Sequence, residues 1–469
     1  MKSNGLKHKG GPTMARVFSR LTFHSSSAKL NQGFQWAMRQ ALSYVHSGGD
    51  PVGYWYEAAL PGRDAFCMRD VSHQSSGAAA MGFSAHNLNM AQKFAASISE
   101  GKDYCCFWEI NREGLPAPAD YQSDEDFWYN LPASFDLLDC CMRMYQWTGD
   151  QRWLDDPVLR RFYDLTMHEY IARWDKNGDG IPERAVAGSV RGIPSYDESG
   201  HSDALMMNDL LGCQAAGCDA YAFFCQMTGR EKEAEDFRAE GKRIRNLLET
   251  QWWDEAAGRY FTICQPDGSL IHKGKSDLSA SLIFDGALRI PERLLGMLDQ
   301  IDSTSQRWQI EGLSHCPMYF YPYGQKERGM KWLLRLLDPD VPRREYPEGS
   351  FSVVIALAEG LLGLTPIWNT GTLQTVSSLN QSLSFAEMKH ISVFGGEIDL
   401  RQEESASVLT NRTGREIQWK AGFDGCHKTL LVNGEQRCAV QETINVIRGC
   451  SFCTVPLKEG ETARVEAKG

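Results

Sequence analysis

Apolar residues recur at a spacing near 3.6 through most of residues 27–365, interrupted by stretches rich in Gly, Pro and aromatic side chains. Two kinds of helical stretch alternate. In 231–252, Ala234, Phe237, Ile244, Leu248 and Trp252 fall on one face, and Lys232, Glu235, Arg238, Lys242 and Arg245 on the other. Such a helix covers a core with one stripe. Stretches 203–228 and 351–363 are apolar nearly all round, and a helix of that kind is buried on every side. Outer-type stretches fall near 28–45, 87–100, 151–174, 231–252, 290–300 and 324–337. Inner-type stretches fall near 72–86, 127–148, 203–228, 276–289, 314–322 and 347–363. Six outer/inner pairs predict a mainly α fold, a closed double ring of helices or (α/α)6 toroid.

The connections into the inner helices are long, near 46–71, 101–126, 175–202, 253–275, 301–313 and 338–347. The returns are short, as at Thr228-Gly229-Arg230. All the long loops then emerge on one side of the ring, and long loops commonly carry function. From 374 onward the pattern changes to strand-like alternation, as in 415–421, and Thr429–Val432 followed by Asn433-Gly434 is a hairpin signal. The predicted organisation is an N-terminal extension 1–26, a toroid 27–365, a linker 366–373 and a small antiparallel β-domain 374–469.

Composition adds exclusions. Of 469 residues, 42% are hydrophobic and 23% charged, which suits a globular chain rather than a disordered or fibrous one. The net charge of −11 disfavours nucleic-acid and membrane-surface partners. No apolar run approaches the ~18 residues of a membrane span, and no apolar segment follows the basic start, so no secretory signal is expected. The 14 cysteines include adjacent pairs (Cys105–Cys106, Cys140–Cys141) and residues inside apolar runs (Cys213, Cys218, Cys225). They read as buried thiols of a cytoplasmic protein. Cys450 and Cys453 lack a second pair or a His partner at zinc spacing, so neither metal nor cofactor is expected. The oligomeric state is not encoded in any of these patterns.

The chemistry concentrates in the long loops. The first holds Arg63, Asp64, Arg69, Asp70, His73 and Gln74; neighbouring Arg and Asp can grip adjacent sugar hydroxyls, one donating and one accepting. Helix capping by Asp70 or Ser72 is the alternative. The second offers Trp108, Asp120, Trp128 and Tyr129, rings that stack on a pyranose beside groups that bind its hydroxyls; Trp128 and Tyr129 are equally readable as core. In the third, Asp175, Asn177, Asp179 and Gly180 begin like a calcium loop, but Val186 stands at the twelfth position, so a tight turn is expected. Arg191, Tyr196, Asp197, Glu198, His201 and Asp203 follow. The sixth carries Glu348, for which N-capping is the alternative, with Ser350 expected in that role. In a six-fold ring the third and sixth loops are opposed. Asp197 or Glu198 would then face Glu348 across the funnel, as glycosidic hydrolysis requires of its acid and base. Trp55, Tyr56, Trp108, Tyr196, Trp308 and Tyr346 would form the subsite walls, and Arg343 and Arg344 are the nearby cations that could keep Glu348 ionised.

Residues 27–365 with these loops resemble the (α/α)6-toroid glycoside hydrolases: glucoamylases, trehalases, processing α-glucosidases and α-L-rhamnosidases. Phe66-Cys67-Met68-Arg69-Asp70 is similar to the W-P-R-D segment of glucoamylases, whose Arg and Asp hold the terminal sugar. Asp70 and His73 are similar to the Asp and His of a W-D-x-G-x-H segment in trehalases, but lie three apart in numbering instead of four. Ser195-Tyr196-Asp197-Glu198-Ser199 is similar to their G-[WL]-D-[ND]-[SY] segment, where the Asp is the general acid. The resemblance implies Asp197 as acid, with Glu198 as fallback, and Glu348 as base before the last inner helix. These 469 residues depart from the rhamnosidase-like pattern, in which a large N-terminal β-domain is common: a small β-domain is expected after the toroid. The expected function is an exo-acting hydrolase of terminal sugars in oligosaccharides or glycosides, inverting at the anomeric carbon. The rivals are a sugar epimerase or uronate lyase, which would use His or Tyr bases (His73, His201, His272 and His315 lie in the loops), and a non-catalytic carbohydrate-binding protein.

Overall fold

A computed structural model of the chain describes residues 17–186, 189–197, 203–273 and 278–467. Fourteen α-helices are described. The first seven are α1 (Ala28–Tyr44), α2 (Met68–Ala80), α3 (Ser84–Ser97), α4 (Ala133–Thr148), α5 (Arg152–Asp155), α6 (Pro157–Leu165) and α7 (Ile171–Trp174). They are followed by α8 (Asn208–Met227), α9 (Glu231–Thr250), α10 (Ser281–Phe284), α11 (Pro291–Thr304), α12 (Ile310–Phe320), α13 (Lys326–Leu336) and α14 (Pro347–Ile355).

The starts and stops follow local chemistry. The Ser27 hydroxyl accepts the Leu30 amide at the start of α1, and Asp156 caps α6 ahead of Pro157. Gly149 ends α4 in the left-handed region at φ 68°. The apolar α8 is buried on nearly every face and turns through Gly229 into the amphipathic α9, which packs along it. Arg245, on the expected outer face of α9, is instead buried and pairs with Asp219.

Helices α2, α4, α8, α10, α12 and α14 pack in succession, and α14 packs back on α2. Around them, α1 packs on α14, α3 on α2 and α4, and α13 on α12. The architecture is an (α/α)n toroid. At the α2–α14 crossing the backbones touch: a Cβ on Gly77 would lie 2.6 Å from the Phe351 carbonyl oxygen. The fourth inner stretch, expected over 276–289, is shorter than its pattern suggested. It is a 3₁₀ turn (Leu278–Ala280) plus the single turn α10, which Asp285 and Gly286 end.

The long loops are not structureless. Short strands tie them together: Val45–Asp50 with Gly53–Tyr56, Ala65–Cys67 with Glu109–Asn111, and Tyr129–Asn130 with Arg191–Ile193. The loops before α2 and α4 and the chain ahead of Asp197 are thereby fixed to one another.

The C-terminal region is a stack of two sheets. One has the strand order 22–25, 385–393, 396–403, 406–412, 462–467, 429–432, 435–438. The other runs 364–367, 372–376, 417–424, 448–457, 440–445. Three expectations change. Part of the N-terminal extension, Thr22–Ser25, is an edge strand of the first sheet, with Phe23 opposite Met388. The segment expected as linker is the turn between Leu364–Ile367 and Thr372–Val376, made by Trp368–Thr370 and Gly371 at φ 62°. The sheets are not wholly antiparallel, because Thr372–Val376 runs parallel to Ile417–Asp424; residues 377–416 supply the long crossover that a parallel pair requires. The Asn433-Gly434 turn joins its two strands as expected, both residues at positive φ. All fourteen cysteines are free thiols, twelve of them buried. No described helix is long and apolar enough to cross a membrane.

Candidate active site

Five inner helices carry a carboxylate in the first turn, and in four of them it is buried: Asp70 on α2, Asp136 on α4, Asp209 on α8 and Glu348 on α14, with Glu311 on α12 half-buried. A helix N-terminus favours negative charge, but those four side chains are buried. Each therefore needs donors, and these donors build the site.

Glu348 Oε1 faces two imidazoles. His73 Nδ1 lies 3.2 Å away and His315 Nε2 2.9 Å away. The other His73 nitrogen, Nε2, lies 3.2 Å from Asp136 Oδ2, and the Tyr196 hydroxyl donates to the same oxygen at 2.6 Å. Burial would push Glu348 up, but His315 and His73 outweigh it and hold the carboxyl far below the usual range. Burial would lower His73, and Asp136 and Glu348 instead raise it to about 10. The cations that keep Glu348 ionised are thus histidines, not Arg343 and Arg344. Arg343 pairs with Glu311 at 2.6 Å, and Arg344 stacks on Trp36 and donates to the Leu337 carbonyl. Ser350 does not cap α14, which starts at Pro347 after Tyr346; its hydroxyl donates to the Pro347 carbonyl inside the helix.

Arg69 and Asp70 sit together on the rim. Arg69 Nε donates to Asp70 Oδ1 at 3.2 Å, and the Tyr346 hydroxyl donates to Asp70 Oδ2 at 2.6 Å. The Arg69 guanidinium lies over the rings of Tyr196 (5.3 Å) and Trp108 (6.0 Å). Burial, opposed by Arg69 and aided by the Glu348 charge, pushes Asp70 up to about 6. Neither Asp70 nor Ser72 caps α2: the N-cap is Cys67, and Ser72 bonds the Met68 carbonyl.

The Asp197 segment hangs from Asp209. Asp209 Oδ2 accepts the Ser195 hydroxyl and the Tyr196 amide, each at 2.8 Å. Ser195 Oγ accepts the Asp197 amide at 2.9 Å, and Asn130 Nδ2 donates to the Ser195 carbonyl at 2.7 Å. Asp197 is buried, and burial raises Asp209 to about 6. The Tyr196 hydroxyl is engaged by Asp136. Glu198 and His201 lie outside the described residues.

Other expected contacts fall elsewhere. Arg63 pairs with Glu109 (2.5 Å) and Asp120 (3.0 Å) at the outer rim; burial and Asp120 push Glu109 up to about 8 against Arg63. Asp64 is exposed in the turn before the Ala65–Cys67 strand. Arg191 clamps two loops, bonding Asp103 and the Asp124 carbonyl over the Phe127 ring. Tyr129 is core, its hydroxyl on Ser134, while Trp128 packs half-buried against the core. Trp55 and Tyr56 are fully enclosed, and Gln74 is buried within α2. Asp175 closes its own turn by accepting the amides of Gly178, Asp179 and Gly180, as a tight turn should.

Sequence reasoning missed Asp136 and Asp209, because a carboxylate in a first helical turn reads as a cap. His315 lies inside α12 rather than in the loop before it. The available signal was an isolated ionisable residue on a helix otherwise enclosed. One or more turns further along the inner helices, a cavity of about 420 Å³ lies behind the histidines, lined among others by Arg143, Asp285, His315, Tyr323 and Glu359. The shortness of α10 leaves this space open.

No protein-family profile matches the chain, and no curated protein matches it in sequence. Solved structures do share its fold. A GH78 family rhamnosidase of Bacillus sp. GL1 is 13% identical with a TM-score of 0.62, covering 86% of this chain and 41% of that one. An α-L-rhamnosidase from Dictyoglumus thermophilum is 12% identical with a TM-score of 0.62, covering 98% and 52%. A structure described as a wild-type glycosidase is 13% identical with a TM-score of 0.51, covering 70% of this chain and 96% of its own. The chain spans about half the length of the rhamnosidases it matches.

Proposed function

We propose that the chain is an exo-acting glycoside hydrolase on a six-hairpin (α/α)6 toroid, with Asp197 as general acid and Glu348 as general base. The observation that carries this reading is Glu348: a buried carboxylate at a helix N-terminus, receiving two imidazole nitrogens at the mouth of the ring. The order of inner helices supports this pairing: α8 and α14 are third and sixth, so the Asp197 segment and Glu348 would stand on opposite walls. Glu348 would take a proton from water as that water attacks the anomeric carbon; Asp197 would protonate the leaving oxygen. Arg69 and Asp70, braced by Tyr346, Tyr196 and Trp108, would grip the terminal sugar. Inversion needs carboxyl groups ~6.5–9.5 Å apart, and retention about 5–5.5 Å. The rhamnosidase and glycosidase neighbours support a glycosidic substrate, and fourteen free thiols support a reducing compartment.

Two histidines at the centre favour one second reading, a sugar epimerase. One experiment separates the two. A panel of nitrophenyl glycosides and, separately, the corresponding free sugars are incubated with the protein, and the first-formed sugar is read by proton NMR. Hydrolysis to the inverted anomer supports the proposal. Interconversion of free sugars with no glycoside cleaved supports the epimerase and ends the hydrolase reading.

A further inference from the structure

We propose that His73, His315 and Glu348 form a binding site for a divalent transition-metal ion of the zinc type, and that its occupancy stops hydrolysis. One imidazole nitrogen from each histidine and one Glu348 oxygen all lie within 4.8 Å of one another. Two imidazoles and one carboxylate are donors for zinc and its neighbours, not for calcium or magnesium, which prefer all-oxygen shells. The three donors come from α2, α12 and α14, each held by ring packing, so the set is preformed.

The surroundings are those of a metal-binding histidine. A ligating imidazole characteristically gives its second nitrogen to a carboxylate. His73 does this with Asp136, which the Tyr196 hydroxyl holds in turn. The Phe284 ring meets both imidazoles edge-on, at 6.0 Å from His73 and 6.1 Å from His315, and shields them on that side. The 420 Å³ cavity reaches both histidines and offers a path for the ion and room for water ligands. Sequence spacing conceals the site, because His73 and Glu348 are 275 residues apart. A Glu348 carboxylate that shares its charge with a metal ion is a much weaker base toward water; this inhibitory half rests on Glu348 being the base, and the binding half does not.

The test uses the full-length protein stripped with chelator, then dialysed against Zn²⁺ and passed through gel filtration. One Zn²⁺ per chain is expected, lost in His73→Ala and His315→Gln and weakened 10–100-fold in Asp136→Asn, a second-layer change. Circular dichroism and melting verify that each variant is folded. Co²⁺ loaded into the wild type gives a readout independent of the variants: ligand-field bands without a thiolate charge-transfer band. No stoichiometric metal, equal binding by folded histidine variants, or a thiolate band pointing to the cysteines overturns the site. Inhibition that follows occupancy and reverses with chelator supports the second half; full occupancy with unchanged turnover overturns that half alone. Failure of the glycosidase reading would appear instead as inactivity of the stripped protein, with metal binding unaffected.

Discussion

The Ser195 hydroxyl donates to Asp209 and accepts from the Asp197 amide, so one buried carboxylate sets the segment proposed to carry the acid. Asp209 stays protonated in the fold up to about 6, whereas an unfolded Asp ionises near 4. The fold therefore holds the proton longer, and the Asp209 contribution to stability falls as pH rises from about 4 to about 6, then levels off. Replacing it by Asn should remove roughly 3 kcal/mol of this decline, at about 1.4 kcal/mol per unit. The check is the difference between wild-type and Asp209→Asn urea stabilities measured well below pH 4 and at pH 7.5; a constant difference refutes it. Asp70, also raised to about 6 and close to Glu348, is a rival for the acid. Leaving-group chemistry separates them. Asp197→Asn should lose 10²–10⁴-fold on alkyl glycosides but little on dinitrophenyl glycosides, which depart without a proton. Asp70→Ala should lose activity on both, because it loosens the sugar itself. Rescue of Asp70→Ala alone would exchange their roles.

At the scale of elements, the α2–α14 crossing sets how closely His73 and Glu348 meet, and it depends on Gly77. Gly77→Ala would place a methyl 2.6 Å from the Phe351 carbonyl oxygen. The helices must part, at about 1–3 kcal/mol. Gly296, within α11, has open space around its missing Cβ, so Ala there should stabilise by roughly 0.5–1 kcal/mol. Chemical denaturation of both variants tests the contrast; destabilisation of equal size would show that close approach is not the cause. Periodicity revealed α8 and α14 because an enclosed helix has no polar face to confuse the pattern. It overextended α10, where Leu282 and Ile283 are buried in a single turn and Asp285-Gly286 end it. It also hid Thr22–Ser25, since four residues with one buried Phe make no pattern until Phe385–Val393 lies beside them. The 366–373 segment reads as linker because Asn369 and Gly371 are turn residues in a linker and in a hairpin alike. The pair Arg69 and Asp70 and the carboxylate of Glu348, the proposed base, were legible as charges at the openings of enclosed helices. His73 was legible beside Asp70, but its pairing with Asp136 and Glu348, and the approach of His315, were not, because only ring closure brings α4 and α12 against α2 and α14.

At the scale of the molecule, the helical ring and the β-stack share chain at both ends. Thr22–Ser25 enters the first sheet before α1 begins, and Trp147 of α4 donates to the Ser392 carbonyl in the next strand of that sheet. Arg448 reaches from the second sheet to the carbonyl of Tyr321 at the end of α12. Deleting residues 1–26 should therefore lower the melting temperature of the whole protein in one transition; a separate melt of the β-region, with the ring unchanged, would contradict this coupling. The central claim is that Glu348 activates the hydrolytic water. Its most direct test is the turnover number of metal-free Glu348→Gln against wild type, on the best glycoside of the panel, with both proteins equally folded. The account predicts a loss of 10²-fold or more, in line with general-base catalysis; a variant that turns over like the wild type would contradict it.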